Sequence, residues 1–280
     1  MKSKVVLYHV NCWDGFGGAW VAWKKFKDSA TYIGVDYNSE PPKGLVGKEI
    51  YLIDFCYKKG QMDKLVRENL NVVALDHHIT RKAEVQIAKE HVFDNDHSGA
   101  FIAWKYFFPK KRVPNLIQYV QDNDLWKFRV KKSKEIMLAV NLHPYSFSVW
   151  DKISRDLEKK NKRSRYIIQG EAILDYVQML AREMSFNADK VILGGVKALA
   201  VNAQRFIRSE LGNTLTKMGV DVGIVWYAKR DEIHVSLRSN GKVDVAKLAE
   251  KFGGGGHEKA AAFIFKSGIE KRFPWKLVEK

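Results

Sequence analysis

The chain predicts an α/β protein, with a larger N-terminal domain built on a mainly parallel sheet and a smaller C-terminal α/β domain. Apolar runs of strand length recur in the first half, at Val5 to Val10, Thr31 to Val35, Ile50 to Phe55 and Val72 to Leu75. Helix-like segments, Gly18 to Lys27 and Gln61 to Asn69, fall between them. Near-continuous apolar strands separated by helices suit a parallel sheet covered on both faces better than an antiparallel sandwich. In such sheets ligands gather at the carboxyl ends of the strands. Each acidic or imidazole cluster of the first half lies there: His9 to Asp14 after the first run, Asp54 after the third, Asp76 to His78 after the fourth.

Helical pattern dominates from Ser98 to about Tyr176 and includes a strongly charged stretch from Asp151 to Arg165. We divide the chain into an N-terminal domain at 1–150, a helical charged connector at 151–185 and a C-terminal domain at 186–280. Beyond the connector, Val196 to Val201, Val222 to Tyr227 and Ile233 to Leu237 read as strands, the last two joined by a tight turn at Lys229-Arg230-Asp231-Glu232. Helical periodicity follows at Val243 to Phe252, then four consecutive glycines ending in His257, then an apolar segment from Ala260 to Phe265.

A chain of 280 residues that is 46% hydrophobic can bury the core of two domains. Its 48 Lys and Arg against 32 Asp and Glu leave a formal charge of +16, which points to a polyanionic partner, with solubility as the alternative use. Cys12 and Cys56 are too few for a disulfide scaffold and point to a reducing cytoplasm. The apolar stretch before Asn11 is too short for a signal peptide, and no segment has the length to span a bilayer.

Two-metal phosphoryl hydrolysis needs hard oxygen ligands and imidazoles converging from several strands, with one carboxylate bridging ions about 3.5–4 Å apart. The chain offers such a set. His9 and Asp14 flank a glycine-rich turn, Asp54 follows Ile50-Tyr51-Leu52-Ile53, His77 and His78 follow Asp76, and Asp122 and Asp124 lie in Gln121-Asp122-Asn123-Asp124. Taken singly each has a structural explanation, such as a hydrogen-bonded histidine or a helix-capping aspartate. Gly253 to Gly256 can bring backbone N–H groups close to an anion, with the Ala-rich segment behind them presenting a helix N-terminus. Trp13 and Trp126 stand beside these clusters as wall or stacking platform.

In order and placement these motifs resemble the DHH phosphoesterase superfamily, which includes RecJ-like exonucleases, nanoRNases, cyclic-dinucleotide phosphodiesterases and a family of inorganic pyrophosphatases. The four N-terminal motifs look like His9-Val10-Asn11-Cys12-Trp13-Asp14-Gly15, Asp54, Asp76-His77-His78 and Asp122. The C-terminal part is similar to the DHH-associated domain, with Arg238, then Val243 to Ala249, then Gly253 to His257 and Ala260-Ala261.

The resemblance implies that Asp54 bridges two Mn²⁺ or Mg²⁺ ions, that Asp14, His77 and Asp122 complete one site, and that His9 belongs to the other. Asp124 is the alternative to Asp122. His78 would face the substrate phosphate, and Asp76 would orient an imidazole, as carboxylates beside metal-bound histidines commonly do. Arg238, Gly254, Gly255, Gly256 and His257 would hold the distal phosphate or base. One departure stands out. Many members carry two carboxylates in the first motif, whereas here Asp14 stands alone and Asn11, Cys12 or Phe16 occupies the other position.

These readings converge on a metal-dependent phosphodiesterase for short oligonucleotides, working in the cleft between its two domains. The rivals are a hydrolase for a small nucleotide, such as a cyclic dinucleotide or 3′-phosphoadenosine 5′-phosphate, and a non-catalytic nucleotide-binding protein. The partners are short single-stranded nucleic acid or a nucleotide, with no membrane; a homodimer is an open alternative.

Overall fold

A computed structural model describes residues 2–36, 39–266 and 273–278. The chain divides into two compact units, Met1–Ile173 and Leu174–Lys280. The first unit opens with β1 (Lys4–His9), α1 (Trp13–Phe26), β2 (Ala30–Val35), β3 (Glu49–Ile53), α2 (Lys59–Glu68), β4 (Asn71–Asp76), a single turn α3 (Lys82–Val85) and β5 (Glu90–Phe93). The sheet order is β2-β1-β3-β4-β5, and each neighbouring pair is parallel. The four expected strands are all present. The fifth, Glu90-His91-Val92-Phe93, is mostly exposed and too short and polar to announce itself as an apolar run.

Both faces of the sheet are covered. Val6, Ile53, Val73 and Leu75 face a core shared with α1 and the later helices, while Leu7, Ile50, Leu52 and Ala74 face α2 and α3 through Met62, Leu65 and Val85. With β1 and β3 adjacent, the chain turns one way from β1 to β2 and the other way from β3 onward. The crevice of such a sheet opens at that reversal, past the ends of β1 and β3.

Five helices follow: α4 (Gly99–Phe107), α5 (Asn115–Asp124), α6 (Ser133–Val140), α7 (Phe147–Leu157) and α8 (Lys160–Ser185). The segment expected to connect the domains is divided differently. Trp150, Ile153 and Leu157 of α7 are buried in the first unit's core, and the division at Ile173/Leu174 falls inside α8. Most charges of 151–165 sit on the outer faces of amphipathic helices, with Asp156 buried as the exception, which is why the stretch looked solvated from sequence.

The second unit contains β6 (Asp189–Leu193), β7 (Val196–Asn202), α9 (Arg208–Thr216), β8 (Val222–Lys229), β9 (Glu232–Ser239), α10 (Val245–Glu250), β10 (Gly255–His257), β11 (Ala260–Lys266) and β12 (Trp275–Leu277). Its mixed sheet runs β10-β11-β9-β8-β7-β6-β12, with β7 and β8 parallel and the other pairs antiparallel. The predicted hairpin is present: Lys229 pairs with Glu232 around Arg230, whose φ is +58°. Asp244 caps α10 by accepting from the N–H groups of Ala246 and Lys247.

Candidate metal centre

Three parallel strands deliver polar groups to one edge. His9 ends β1, Asp54 follows β3, and Asp76 ends β4 with His77 and His78 behind it. Asp54 leaves its strand with φ at +62°, and its N–H donates to the Leu75 carbonyl at 3.0 Å, which ties it to the neighbouring strand end. Its Oδ1 lies 3.2 Å from His77 Nε2 and its Oδ2 lies 3.4 Å from His9 Nδ1. His77 Nε2 is also 3.5 Å from Asp124 Oδ2 and 3.7 Å from Asp14 Oδ2. Donor atoms of Asp14, His77 and Asp124 all lie within 4.8 Å of one another, as do those of His9, Cys12 and Asp54 and those of Asp54, Asp76, His77 and His78.

Asp14 reaches this edge from a helix. The glycine-rich turn expected beside His9 and Asp14 is instead the start of α1, which begins at Trp13 and buries Gly15, Gly17 and Gly18 after Asp14. They allow close approach: a Cβ on Gly15 would lie 2.1 Å from the His9 carbonyl oxygen, and one on Gly18 would lie 2.3 Å from Ile53 Cγ2. Gly99 was not singled out from sequence and is equally constrained. A Cβ there would fall 2.7 Å from Asp54 Cβ, so its absence lets the start of α4 touch the cluster. The N–H groups of Gly99 and Ala100 donate to the two carboxylate oxygens of Asp14 at 2.5 and 2.9 Å. Ser98, immediately before Gly99, was the available signal, because it is the N-cap of α4.

Asp76 organises the two histidines. Its Oδ1 accepts from the N–H groups of His77 and His78 at 2.8 and 3.3 Å and lies 2.7 Å from His78 Nδ1. Its Oδ2 is buried without a hydrogen-bond partner among the described residues.

Asp122, expected first from sequence, does not join the cluster; Asp124 does. Asp122 accepts from the N–H groups of Arg129 and Val130 at 2.8 and 3.2 Å and from the Ser133 hydroxyl. These bonds occupy both its oxygens in closing the loop after α5, where Trp126 and Phe128 have φ of +54° and +46°. Trp13 likewise has a structural contact, donating from Nε1 to Asn141 Oδ1 at 3.1 Å.

The electrostatics reflect crowding. Burial, with the charges of Asp54 and Asp124, raises the Asp14 carboxyl well above its ordinary range. Burial also raises Asp124, partly opposed by His77. Asp54 goes the other way, because hydrogen bonds from His77 and His9 outweigh the effect of burial. Burial disfavours a cationic His77, but the Asp54 hydrogen bond and the charges of Asp124, Asp54 and Asp14 overcome it and push its pKa up to about 10. His78 is raised by Asp76 against the same penalty. The Cys12 thiol is pushed up by burial and by Asp54, Asp124 and Asp14.

Three carboxylates closing on one imidazole in a buried pocket form a site with excess negative charge, and the Asp124 Oδ2 has no hydrogen-bond donor among the described residues. Hard oxygens with one or two imidazoles fit Mn²⁺ or Mg²⁺. Cys12 is the member that fits a hard ion least.

In the second unit, Arg238 on β9 and His257 on β10 both register with Ala260 on β11. Directly opposed residues share a sheet face, so the two side chains lie on one face, with their backbones roughly 10 Å apart. Arg238 is 9% exposed, and it donates to the Leu237 carbonyl at 2.8 Å and to Ser209 Oγ at 2.7 Å. Burial and the nearby Arg208 charge lower its pKa to about 10. Gly212 makes room for it, since a Cβ there would meet Arg238 Cγ at 2.7 Å.

The glycine run differs from the expected cradle. Gly253 and Gly254 donate their N–H groups to Glu250 and Ala249, ending α10, and a Cβ on Gly254 would lie 2.2 Å from the Ala262 carbonyl oxygen. Ala260–Lys266 is a strand, so no helix N-terminus follows. Gly255 and Gly256 enter β10 beside His257.

The DHHA1 domain model matches residues 197–274. An uncharacterized protein of Acanthamoeba polyphaga mimivirus is 31% identical over 304 aligned positions, which cover 98% of this chain and 70% of the relative. Among solved structures, a DHH domain described as a member of the s1p family of ribosomal proteins superposes with a TM-score of 0.59 at 13% identity, covering 95% of this chain and 83% of that one. RecJ from Thermus thermophilus in complex with Mn²⁺ gives 0.50 at 12% identity, covering 94% of this chain and 49% of RecJ. At such identities the structures speak to fold. Together with the strand-end motifs, the matches establish that the chain belongs to the DHH superfamily, with a phosphoesterase fold and a C-terminal DHHA1 domain.

Proposed function

We propose that the chain is a divalent-metal-dependent phosphodiesterase that hydrolyses short oligonucleotides, with Mn²⁺ serving at least as well as Mg²⁺. The observation that carries this reading is the meeting of Asp14, Asp54, His77 and Asp124 at the sheet's reversal point, with His9 on the far oxygen of Asp54. Asp54 turns each oxygen toward a different imidazole, the disposition a bridging carboxylate needs. Asp14, His77 and Asp124 complete one site, and His9 belongs to the other. When bound there, a pair of divalent ions supplies Lewis acidity to the phosphoryl group and acidifies water.

The chain's own groups do the rest. Asp76 fixes the His78 ring and favours its cationic form, which suits contact with a substrate phosphate. Arg238, Gly255, Gly256 and His257 hold the distal phosphate or base. The +16 charge favours nucleic acid over a small neutral partner. Cys12 beside His9 and Asp54 favours one second reading, a nucleotide-binding protein that has lost its second ion and does not hydrolyse.

Incubation with a ladder of labelled oligonucleotides in saturating Mn²⁺ tests these readings together. Hydrolysis fastest on the shortest strands and abolished by chelator is the expected result. Turnover confined to a cyclic dinucleotide or nucleoside bisphosphate would replace the substrate, and binding without turnover would leave the second reading.

A further inference from the structure

A cavity of about 280 Å³ opens between α7 and α8 within the first unit, lined by residues that share no member with the metal cluster. Lys152 comes from α7, Lys162, Arg165 and Tyr166 come from α8, and His143 closes one end from the α6–α7 connection. The helical positions 162, 165, 166 and 169 repeat at three and four residues, so one face of α8 lines the space. The packing that sets this face is close: a Cβ on Gly170 would lie 1.8 Å from the Glu135 carbonyl oxygen, and Lys132 bridges Glu135 and Glu171 at 2.9 and 2.8 Å.

The charge in the cavity is unbalanced. Its one carboxylate, Asp156, is held below its ordinary range by Lys162, whose Nζ lies 2.7 Å away. Lys152 and Arg165 make no ion pair with a described residue, so two positive charges face a space large enough for a phosphate group. Arg offers a planar fork and Lys a mobile point charge, a combination suited to phosphate oxygens. Tyr166 and His143 add two rings with centroids 6.2 Å apart.

The connection that carries His143 is tied to the first turn of α1. Asn141, two residues before His143, accepts from Trp13, and Tyr145, two residues after it, packs on Phe16 at 5.1 Å between ring centroids. Trp13 and Phe16 flank Asp14 in the first turn of α1. The lip of the basic cavity is thereby anchored on both sides to the helix turn that supplies a carboxylate to the cluster.

We propose that this cavity is a phosphate-binding subsite that holds a phosphate group of the substrate away from the bond being cut. That the phosphate belongs to a nucleic-acid strand rests on the function proposed above; phosphate recognition by Lys152 and Arg165 does not.

The test is equilibrium binding in excess chelator, where no hydrolysis intervenes, so it reads the subsite even if the chain proves not to be a nuclease. The probes are a fluorescent pentanucleotide and inorganic phosphate as competitor. The double variant Lys152→Gln/Arg165→Gln is compared with Lys89→Gln/Lys190→Gln, which removes the same charge from exposed positions elsewhere. Thermal melts confirm that both variants are folded. The cavity variant should lose about tenfold in pentanucleotide affinity and reduce the salt slope by about 1–2, while the control changes by less than about twofold. Loss of inorganic phosphate binding alone would keep the subsite and make free phosphate its ligand. Equal weakening in both variants, or no change in either probe, would overturn the proposal.

Discussion

In the first unit all five strands run the same way, so their carboxyl ends share one edge, and His9, Asp54 and His77 arrive there without interrupting a strand. The second sheet is largely antiparallel. Its two candidate contacts, Arg238 and His257, are instead aligned across three strands through their common partner Ala260. One unit gathers donors by convergence and the other by register. Convergence concentrates charge, as the displaced pKa values of Asp14, Asp54 and His77 show, whereas register spaces groups a strand or two apart and leaves them suited to contacting a long ligand.

The largest effect should come from Asp54→Asn, which keeps a residue tolerant of positive φ but removes the charge between the two imidazoles. Hydrolysis should fall by more than about 10²-fold while the chain still melts as a folded protein, since even residues one layer beyond metal ligands cost about 10–100-fold. A near wild-type rate would mean that convergence is merely structural.

Next, Asp124→Ala and Asp122→Ala should separate cleanly. The first should weaken Mn²⁺ binding by calorimetry by on the order of 10²-fold at little cost in stability. The second should destabilise the chain by roughly 2–4 kcal/mol in denaturant titration, through the lost bonds to Arg129, Val130 and Ser133, while metal affinity in the folded fraction stays close to that of the parent. Reversed outcomes would return Asp122 to the metal site.

For the register side of the comparison, His257→Ala should raise KM roughly tenfold with a smaller change in kcat, as expected for a contact remote from the cleaved bond. Arg238→Lys, which keeps charge in a buried position, should follow the same pattern. A collapsed kcat at constant KM in both would show that the second unit takes part in the chemistry.

The smallest effect belongs to the first motif. Cys12→Asp places a hard oxygen beside His9 and Asp54 and should lower the Mn²⁺ concentration for half-maximal activity by about two- to fivefold. A higher requirement would mean that added repulsion among carboxylates outweighs the gained ligand.

Much of this was legible in the sequence because chemistry and hydrophobicity change at the same places. Ile53 is apolar core and Asp54 stands in the candidate metal cluster, and likewise Leu75 and Asp76, so these strand ends are visible as a change of residue type. The choice between Asp122 and Asp124 was not legible. Two residues on a helix end point about 200° apart, and Asp122 is taken up by Arg129, Val130 and Ser133 in a loop whose left-handed residues Trp126 and Phe128 are not glycines and so give no sequence signal. The glycine run misled for a related reason. Glycine serves equally for anion contact, helix termination and close strand approach, and Gly253 and Gly254 are used for the latter two. The strand β5 was hidden because exposure made it polar, and the charge of 151–165 made the rest of α7 and the start of α8 read as a connector rather than as part of the first unit.

The hydrogen bonds from Gly99 and Ala100 to Asp14 have a consequence for the life history of the protein. A helix start answers that carboxylate from within the polypeptide, and the charges of Asp54, Asp124 and Asp14 favour a proton on His77, so part of the cluster's charge is met by the chain's own atoms. On the metal-centre reading proposed above, folding and loading would then be separate events: the chain would fold with His77 protonated, and an ion taken up at that ring nitrogen would have to displace the proton, so metal affinity would weaken as the pH falls.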